Sequence, residues 1–282
     1  MIIAADSQAL RDRLTELRVG GATVGFVPTM GNLHQGHLSL IEQAQNAADI
    51  VVASIFVNPM QFAANEDLDT YPRTLEADLS ALRQIKADLV FTPSASDIYP
   101  QGSENETTIH VPVLGEALCG KERPGHFDGV CTVVTKLFNL IKPNYAVFGK
   151  KDYQQLSVIR QLVKDLNYDI KIVAVDTQRE VNGLAISSRN QQLTTKEKEK
   201  SAVIYKALNA MAKSSRTVSS EIIDLGKSIL EEESKCIHID YIEIVDRTNL
   251  NKLEIIDRPA LAAIAVKVGK TRLIDNIEID FE

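Results

Sequence analysis

The sequence lacks the features that mark several classes of protein. Its three cysteines, Cys119, Cys131 and Cys236, are an odd number without metal-type spacing, which argues against a disulfide framework or a structural zinc site. No segment reaches membrane-spanning length without charge, and no basic stretch followed by a long apolar run opens the chain. The formal net charge of −7 disfavours nucleic acid or an anionic membrane as a partner of the whole protein. We therefore expect a cytoplasmic protein.

The order of apolar segments predicts the fold class. Through about residue 176, short apolar runs alternate with amphipathic helical patterns, which is typical of a doubly wound parallel sheet of the α/β class. Beyond that point helices come first and strands follow, which indicates a smaller α+β domain, so we expect domains at 1–176 and 177–282. Helices are predicted at 7–18 (with Ser7 as its cap), from 37 onward, and at 74–86, 130–141, 152–166, 195–213 and 218–233. Strands are predicted at 24–27, 50–57, 89–91, 107–113, 145–148, 170–175, 241–245, 261–268 and 273–279.

The most informative segment is residues 24–38, in which a short strand leads through a glycine turn to two histidines at a helix start. Unpaired N–H groups and the helix dipole favour an anion there, and His34 and His37 can each donate a hydrogen bond to phosphate oxygens. Gly31 and Gly36 would allow the backbone to approach a nucleotide closely. A two-histidine metal pair without a third ligand and a purely structural helix cap are the alternatives. The pattern predicts chemistry at the α-phosphate of a nucleoside triphosphate.

Two further segments carry cations or hydroxyls suited to phosphate. Gly149, Lys150, Lys151 and Asp152 follow a predicted strand, at the sheet edge where ligands bind in such folds. Lysines at a helix start oppose the helix dipole, which points to function, although a solvated lysine pair and a capping role for Asp152 remain alternatives. The segment 187–190 (Ser-Ser-Arg-Asn) follows a turn and offers hydroxyls and a guanidinium, a signal that is weak alone.

Polar side chains elsewhere are candidate substrate ligands. Asn58 and Gln61 follow the second buried strand and suit a small substrate with hydroxyl and carboxylate groups, or else stabilise a turn. Arg123 and His126 lie in a loop before a long helix, as carboxylate or phosphate ligands or as surface residues. Lys136, on an apolar helix, marks a buried salt bridge or a phosphate contact.

Together, the motifs PTMGNLHQGH, FVNPMQF, RPGHFDGV, FGKKDYQQ and SSRN resemble those of the pantothenate synthetases (pantoate–β-alanine ligases), in the same order and over nearly the whole chain. The resemblance implies a Rossmann-like nucleotidyltransferase domain with a smaller C-terminal domain acting as a lid, usually in a homodimer. It also implies condensation of pantoate with β-alanine through a pantoyl adenylate, using ATP and Mg²⁺ carried by the ATP.

The resemblance implies a role for each matching residue, with His37 as the usual proton donor and no metal ligand from the protein. The implied catalytic residues are His34, His37, Lys151, Ser187, Ser188 and Arg189. The implied ATP-binding residues are Pro28, Thr29, Met30, Gly31, His34, Gly36, His37, Gly149, Lys150, Lys151, Asp152, Gln178, Ile186, Ser187, Ser188 and Arg189. The residues expected to bind pantoate or β-alanine are Asn58, Gln61, Arg123, His126, Lys136 and Gln155, of which the resemblance itself supplies Gln61 and Gln155.

Three positions depart from the family pattern, and other functions compete with it. Ile186 replaces Met or Leu, Asn182 stands in a Val-Asn-Gly turn where Ala-Asp-Gly is usual, and Cys119 replaces a glutamate. The competing hypotheses are another nucleotidyltransferase such as a phosphopantetheine adenylyltransferase, a non-catalytic ATP-binding module, and a zinc protein built on His34, His37 and His126. The paired glutamines and the length of the chain disfavour the adenylyltransferase.

Overall fold

The computed structural model describes residues 1–63, 66, 68–233 and 236–281, and the chain divides into two compact units. The first unit comprises Met1–Lys150 and Val158–Asp176, and the second comprises Lys151–Ser157 and Thr177–Glu282. The expected division at 176 had put residues 151–157 in the first domain. They belong to the second unit because the Asn276 side chain donates to the Lys151 carbonyl at 2.8 Å and the Tyr153 hydroxyl donates to Glu278 at 3.3 Å.

The first unit is built on a six-stranded sheet whose pairings are all parallel. The strands are β1 Ile2–Ala4, β2 Val24–Thr29, β3 Ile50–Ile55, β4 Leu89–Phe91, β5 Tyr145–Gly149 and β6 Lys171–Val175, in the spatial order β1-β4-β3-β2-β5-β6. Buried runs such as Val-Val-Ala-Ser in β3 are expected of strands covered on both faces, and the predicted α/β sheet is confirmed.

The longer helices that accompany this sheet lie close to the predicted ranges, whereas the short helices at 95–98 and 118–122 were not predicted. Asp6, rather than the predicted Ser7, caps the first helix, because its carboxylate accepts the N–H groups of Gln8 and Ala9 at 2.9 and 2.8 Å. The long sixth helix ends at Ile141, and Lys142 follows in the left-handed conformation just before Pro143. The helices are α1 Ser7–Leu17, α2 Gln35–Ala47, α3 Leu75–Gln84, α4 Ala95–Ile98, α5 Leu118–Glu122, α6 His126–Ile141 and α7 Tyr153–Asp165.

The predicted strand at 107–113 is wrong. These residues form a loop in which the Ile109 N–H donates to the Thr132 hydroxyl of α6 at 3.0 Å, so it cannot serve a neighbouring strand. Pro112 has no N–H to donate, and Val113 has a φ of +65°, outside the extended region. Of the alternating apolar residues there, Val111 is buried but Val113 is 57% exposed, so the alternation does not indicate one buried face of a strand.

The second unit places helices on a small antiparallel sheet of three strands in chain order, as the predicted α+β organisation requires. The single helix predicted at 195–213 is two helices that meet at Ala202. The Ser201 hydroxyl donates to the Glu197 carbonyl at 2.7 Å, a contact that competes with the regular helix pattern and often bends helices. The elements are α8 Thr195–Ser201, α9 Val203–Ala212, α10 Ser219–Glu233, β7 Ile237–Asp246, β8 Ala260–Val268 and β9 Thr271–Ile279.

The order of the six strands locates a binding crevice. From β2 the chain adds β3 and β4 on one side, whereas β5 and β6 lie on the other, so the order reverses between β2 and β5. Open α/β sheets bind ligands outside the carboxyl ends of the strands at such a reversal. The histidine loop follows β2 and Gly149 ends β5, so two predicted motifs lie there.

Among the described residues, no helix combines the length and the apolar composition that a membrane span needs.

The loop at 107–113 generates a prediction about pH. His110 lies 2.9 Å from Asp128 and 3.5 Å from Glu116, and the hydrogen bond and charge of Asp128 raise the pKa of His110 above its usual 6.5. Because the pKa is raised in the folded state, the stabilisation is fully present below 6.5 and is lost as pH rises through the folded pKa. An NMR titration of the five histidines should place His110 above 6.5.

The Asp128→Asn variant tests the cause of the shift, with His110→Gln assigning the resonance. The pKa of His110 should fall towards 6.5 in Asp128→Asn. An unchanged pKa would show that the ion pair does not form in solution.

Candidate active site

The two histidines lie side by side at the start of α2. His34 is the extended residue before the helix, and its carbonyl accepts the N–H groups of His37 and Leu38 at 2.8 and 3.1 Å. The imidazole rings are 4.0 Å apart between centroids, and the His34 N–H donates to Nδ1 of His37 at 3.4 Å. Because Nδ1 of His37 accepts, the neutral ring carries its proton on Nε2, where it can be donated to an anion. Both residues are half-buried.

A buried carboxylate on α3 holds the loop that leads to these histidines. Asp78, 3% exposed, accepts the N–H groups of Asn32 and Leu33 at 2.9 and 2.7 Å and the Thr74 hydroxyl at 3.2 Å. Gly31 and Asn32 have φ of +80° and +50°, and a Cβ at Gly31 would lie 2.9 Å from Oδ2 of Asp78. Glycine at position 31 is therefore required both by the backbone conformation and by the close approach of Asp78.

The sequence did not single out Asp78 as a residue of the candidate site. An acidic residue in the first turn of a helix ordinarily complements the helix dipole, so its presence there carries no signal of a site. Its partners lie 45 and 46 residues away in the chain, and only the fold brings them together.

The remaining residues of the first loop connect it to the sheet and to the next turn. Thr29 ends β2, and its hydroxyl donates to the Ser54 carbonyl at 2.7 Å and accepts the Gly31 N–H at 3.2 Å. Pro28 precedes it in the same strand, and Gly36 lies in the first turn of α2. The sulfur of Met30 accepts from Nε2 of Gln61 at 2.9 Å, which joins the histidine loop to the turn after β3.

Asn58 organises that turn from inside the protein. Its Nδ2 donates to the Gly129 carbonyl at 3.0 Å and to Oε1 of Gln61 at 3.2 Å, while its Oδ1 accepts the Tyr99 hydroxyl at 2.7 Å. The side chain is 1% exposed, and these contacts are those of the turn-stabilising alternative. A substrate contact for Asn58 stays a prediction. Gln61 lies between Asn58 and Met30, next to the histidine loop.

Arg123 and His126 brace the same turn. Arg123 donates two bonds of 2.6 Å to Glu66, and although burial raises the pKa of Glu66, the contacts with Arg123 outweigh it and the pKa lies below its usual value. Nδ1 of His126 lies 2.7 Å from the Gln61 carbonyl, which can only accept, and its Nε2 lies 3.0 Å from Arg123, which can only donate. His126 is therefore neutral with its proton on Nδ1, and both ring nitrogens are engaged.

Lys136 forms a salt bridge, one of its two interpretations, although the pair is half-buried rather than buried. Its Nζ donates to Glu106 at 2.5 Å and to the Ile98 carbonyl at 2.6 Å, and lies 5.0 Å from the centre of the Tyr99 ring. Burial raises the pKa of Tyr99, so its hydroxyl stays protonated and donates to Asn58. Lys136 thus lies against Tyr99, which in turn donates to Asn58 in the turn after β3.

After β5 the chain passes through a short 3₁₀ turn at Lys150–Asp152. In the first unit, Nζ of Lys150 pairs with Asp176 at 2.8 Å. In the second unit, Nζ of Lys151 lies 3.5 Å from Asp152, and Gln155 is half-buried in the first turn of α7.

The second unit also holds residues 178–189, here called the serine turn. Ile186 donates its N–H to the Gln178 carbonyl at 2.9 Å, and the Ser187 hydroxyl accepts the Arg189 N–H at 3.3 Å. Ser188 begins the 3₁₀ helix that follows. Asn182 accepts the Leu184 N–H at 3.1 Å, which closes the turn that departs from the family pattern.

The other two departures from the family pattern are Ile186 and Cys119. Ile186 keeps the backbone bond to Gln178, which does not depend on its side chain. Cys119 lies half-buried in α5.

Comparison with known proteins gives one consistent result. A family model described as pantoate-beta-alanine ligase matches residues 2–278. A pantothenate synthetase from Shewanella piezotolerans is 48% identical over 279 residues, which are 98% of this chain and 98% of that protein. One from Shewanella oneidensis is also 48% identical, over 99% of this chain and 100% of that protein.

Solved structures agree with the sequence relatives. The crystal structure of pantothenate synthetase from Thermus thermophilus matches with a TM-score of 0.93 and 41% identity, covering 100% of both chains. A pantoate-beta-alanine ligase from Francisella tularensis, complexed with beta-gamma ATP and β-alanine, matches with a TM-score of 0.81 and 38% identity. That match covers 98% of this chain and 97% of the other.

The contacts of Asp78 generate a prediction about stability. In Asp78→Asn one carboxylate oxygen becomes an NH₂ group, which cannot accept a loop N–H, so a buried donor loses its partner. We expect the free energy of unfolding to fall by about 1–3 kcal/mol, measured by urea denaturation.

Glu76→Gln is the matched control, because it makes the same chemical change at an exposed position of the same helical turn. Its effect should stay within about 0.5 kcal/mol. Equal effects in the two variants would contradict the role assigned to Asp78.

Proposed function

Because this chain belongs to the pantoate–β-alanine ligase family, we propose that it joins pantoate to β-alanine to form pantothenate, converting ATP to AMP and pyrophosphate. The observation that carries the proposal is the pair of adjacent imidazoles at the start of α2, at the strand reversal and linked to Gln61 through Met30. The relative from Francisella tularensis was crystallised with an ATP compound and β-alanine, which supports the same ligand classes for this chain.

In the first step the pantoate carboxylate attacks the α-phosphate of ATP. A carboxylate oxygen–phosphorus bond forms, the bond from the α-phosphorus to the bridging oxygen breaks, and pyrophosphate leaves with the bonding electrons. Nε2–H of His37, with His34 beside it, donates to the oxygens on which charge develops, and the start of α2 adds its dipole. ATP enters as its magnesium complex, in which the ion offsets phosphate charge.

The second unit contributes further phosphate ligands in this proposal. Lys151 and Arg189 supply positive charge, and Ser187 and Ser188 supply hydroxyl donors, which stabilise the leaving pyrophosphate. Gly149, Lys150 and Asp152 bind the nucleotide, with Asp152 acting through the ribose. The backbone at Gln178 and Ile186 lies near the adenine.

Gln61 and Gln155 hold pantoate. The Nε2 group of Gln61 donates to a thioether sulfur, which is a weak acceptor, so an oxygen of a bound substrate would be the better partner. We assign positioning roles to Asn58, Arg123 and His126, because their polar groups hold Gln61 and its carbonyl. Lys136 acts one step further away, through Tyr99.

In the second step the amine of β-alanine attacks the carbonyl carbon of the pantoyl adenylate. A carbon–nitrogen bond forms, the carbon–oxygen bond to AMP breaks, and the attacking nitrogen loses a proton. The mixed anhydride must be kept from water until this step, which is the task proposed for the C-terminal domain as a lid. We also propose that the chain forms a homodimer and acts in the cytoplasm.

The competing hypotheses make different demands on the same residues. A zinc site on His34, His37 and His126 would need a ring nitrogen of His126, and both are engaged by Gln61 and Arg123. Within the described ranges no three His, Cys, Asp or Glu side chains are grouped as metal ligands would be. An adenylyltransferase would form pyrophosphate with another acceptor, and a binding module would hold ATP without turnover.

An assay of AMP release distinguishes these hypotheses. The purified protein is given ATP, Mg²⁺, pantoate and β-alanine, and each component is omitted in turn. AMP release that requires both pantoate and β-alanine supports the ligase. Pyrophosphate formed only with a different acceptor would reject these substrates, and ATP binding without turnover would favour the binding module.

The histidine pair generates a prediction about the rate. His34→Ala or His37→Ala should lower kcat by about 10²-fold or more, because each removes a donor to developing phosphate charge. Circular dichroism and Tm should stay close to those of the parent protein.

His238→Ala is the control, since it removes an exposed imidazole from β7 in the second unit. Its kcat should match that of the parent within about twofold. Near-normal rates in both His34→Ala and His37→Ala would refute the catalytic assignment.

A further inference from the structure

A buried network on β9 connects the two segments of the second unit that carry the proposed phosphate ligands. Asp275, 4% exposed, accepts two bonds from the Arg179 guanidinium at 2.6 and 3.0 Å. The same carboxylate accepts the N–H of Asn276 at 2.8 Å. Arg179 lies over the Tyr205 ring, 3.8 Å from its centre, and this contact fixes the plane of the guanidinium.

Through Arg179 the network holds the serine turn. Arg179 also donates to the Gly183 carbonyl at 3.1 Å and pairs with Ala185 in an antiparallel bridge. Gly183 has a φ of +94°, and a Cβ there would lie 2.7 Å from the Tyr205 ring, so the turn packs closely against that ring. Ser187 follows two residues after the bridge, and its position therefore depends on the pair formed by Arg179 and Asp275.

Through Asn276 the network holds Lys151. The Asn276 Nδ2 group, on a side chain 9% exposed, donates to the Lys151 carbonyl at 2.8 Å. Asp275 and Asn276 are successive residues of a strand, and each pairs with β8, at Ile264 and Ala263. Lys has a long flexible side chain, so a fixed backbone limits where its Nζ can lie.

We propose that Asn276 is a positioning residue for Lys151 and that Asp275 is a positioning residue for the serine turn. One rigid strand thereby holds in register two sets of phosphate ligands that are distant in the chain, which a triphosphate needs if it is to contact both at once. Neither residue touches the substrate. The inference deepens the proposed function and rests on it.

Asn276→Asp tests the first half of the proposal, because it removes the NH₂ donor at almost constant size. We expect kcat/KM for ATP to fall about tenfold while KM for pantoate stays within about twofold. Asn251→Asp is the matched control, the same chemical change at an exposed position outside the network, and it should leave both constants unchanged.

A double-mutant cycle with Lys151→Ala separates positioning from general destabilisation. If Asn276 acts through Lys151, the double variant should have the kcat/KM for ATP of Lys151→Ala alone, within about twofold. Multiplicative losses would overturn the proposal, since they would show that Asn276 acts elsewhere. If Asn276→Asp does not fold, the cycle is run with Asn276→Ala.

The same double-mutant cycle is repeated with the Kd of ATP, measured by calorimetry, so that the ligase function and the positioning role of Asn276 can be tested separately. A parent protein that releases no AMP in the presence of pantoate and β-alanine would refute the ligase function. Independent effects of Asn276 and Lys151 on the Kd of ATP would refute the positioning role of Asn276, whatever the acceptor.

The positioning role of Asp275 is tested by Asp275→Asn, which should weaken ATP binding. In the Ser187→Ala background, Asp275→Asn should weaken ATP binding by a smaller factor. Equal losses of affinity in both backgrounds would overturn the role assigned to Asp275.

Discussion

The histidine loop of the first unit depends on one buried carboxylate. Asp78 accepts the N–H groups of Asn32 and Leu33 and so holds the chain between β2 and α2 in a conformation that includes two left-handed residues. Without an acceptor at that position, two N–H groups would be buried without partners, which a folded protein rarely tolerates. The start of α2, and with it the pair of imidazoles, follows from this constraint.

The second unit uses the same physical solution. Asp275 lies behind the serine turn and is satisfied by a guanidinium and by a backbone N–H of its own strand. A segment that binds phosphate must leave hydrogen-bond donors and positive charge exposed. Those groups are then not available to stabilise the conformation of the segment itself. In the first unit a buried carboxylate accepts the loop N–H groups directly, and in the second unit a buried carboxylate holds Arg179, which donates to the Gly183 carbonyl of the serine turn.

The sequence predicted the parts of the fold that have strong local signals. Buried strands such as β3 and long amphipathic helices such as α6 were located within a few residues, and the strand-to-helix motifs lie where the sheet order reverses. The three-residue strand β1 is too short to carry a periodic pattern. The strand predicted at 107–113 was wrong because the Ile109 N–H donates to the Thr132 hydroxyl instead of to a neighbouring strand. The helix predicted at 195–213 is interrupted where the Ser201 hydroxyl donates to the Glu197 carbonyl.

The residues that position the site could not be found in the same way. Asp78, Tyr99 and Asp275 bind partners 46, 41 and 96 residues away, so each has the local signature of an ordinary helix, loop or strand residue. Candidate ligand-binding residues are recognisable in a sequence where their chemistry is unusual for their position, as with lysines at a helix start. Residues that hold them in place become visible only in the folded chain.

The central claim is that the carboxylate of pantoate is activated at the α-phosphate of ATP. The most direct measurement uses pantoate labelled with oxygen-18 in its carboxylate, with β-alanine and ATP, and mass spectrometry of the products. The account predicts one labelled oxygen in AMP and none in pyrophosphate, because the carboxylate oxygen stays with the phosphorus when the amide forms. Label that appears in inorganic phosphate, or in no phosphate product at all, would contradict it.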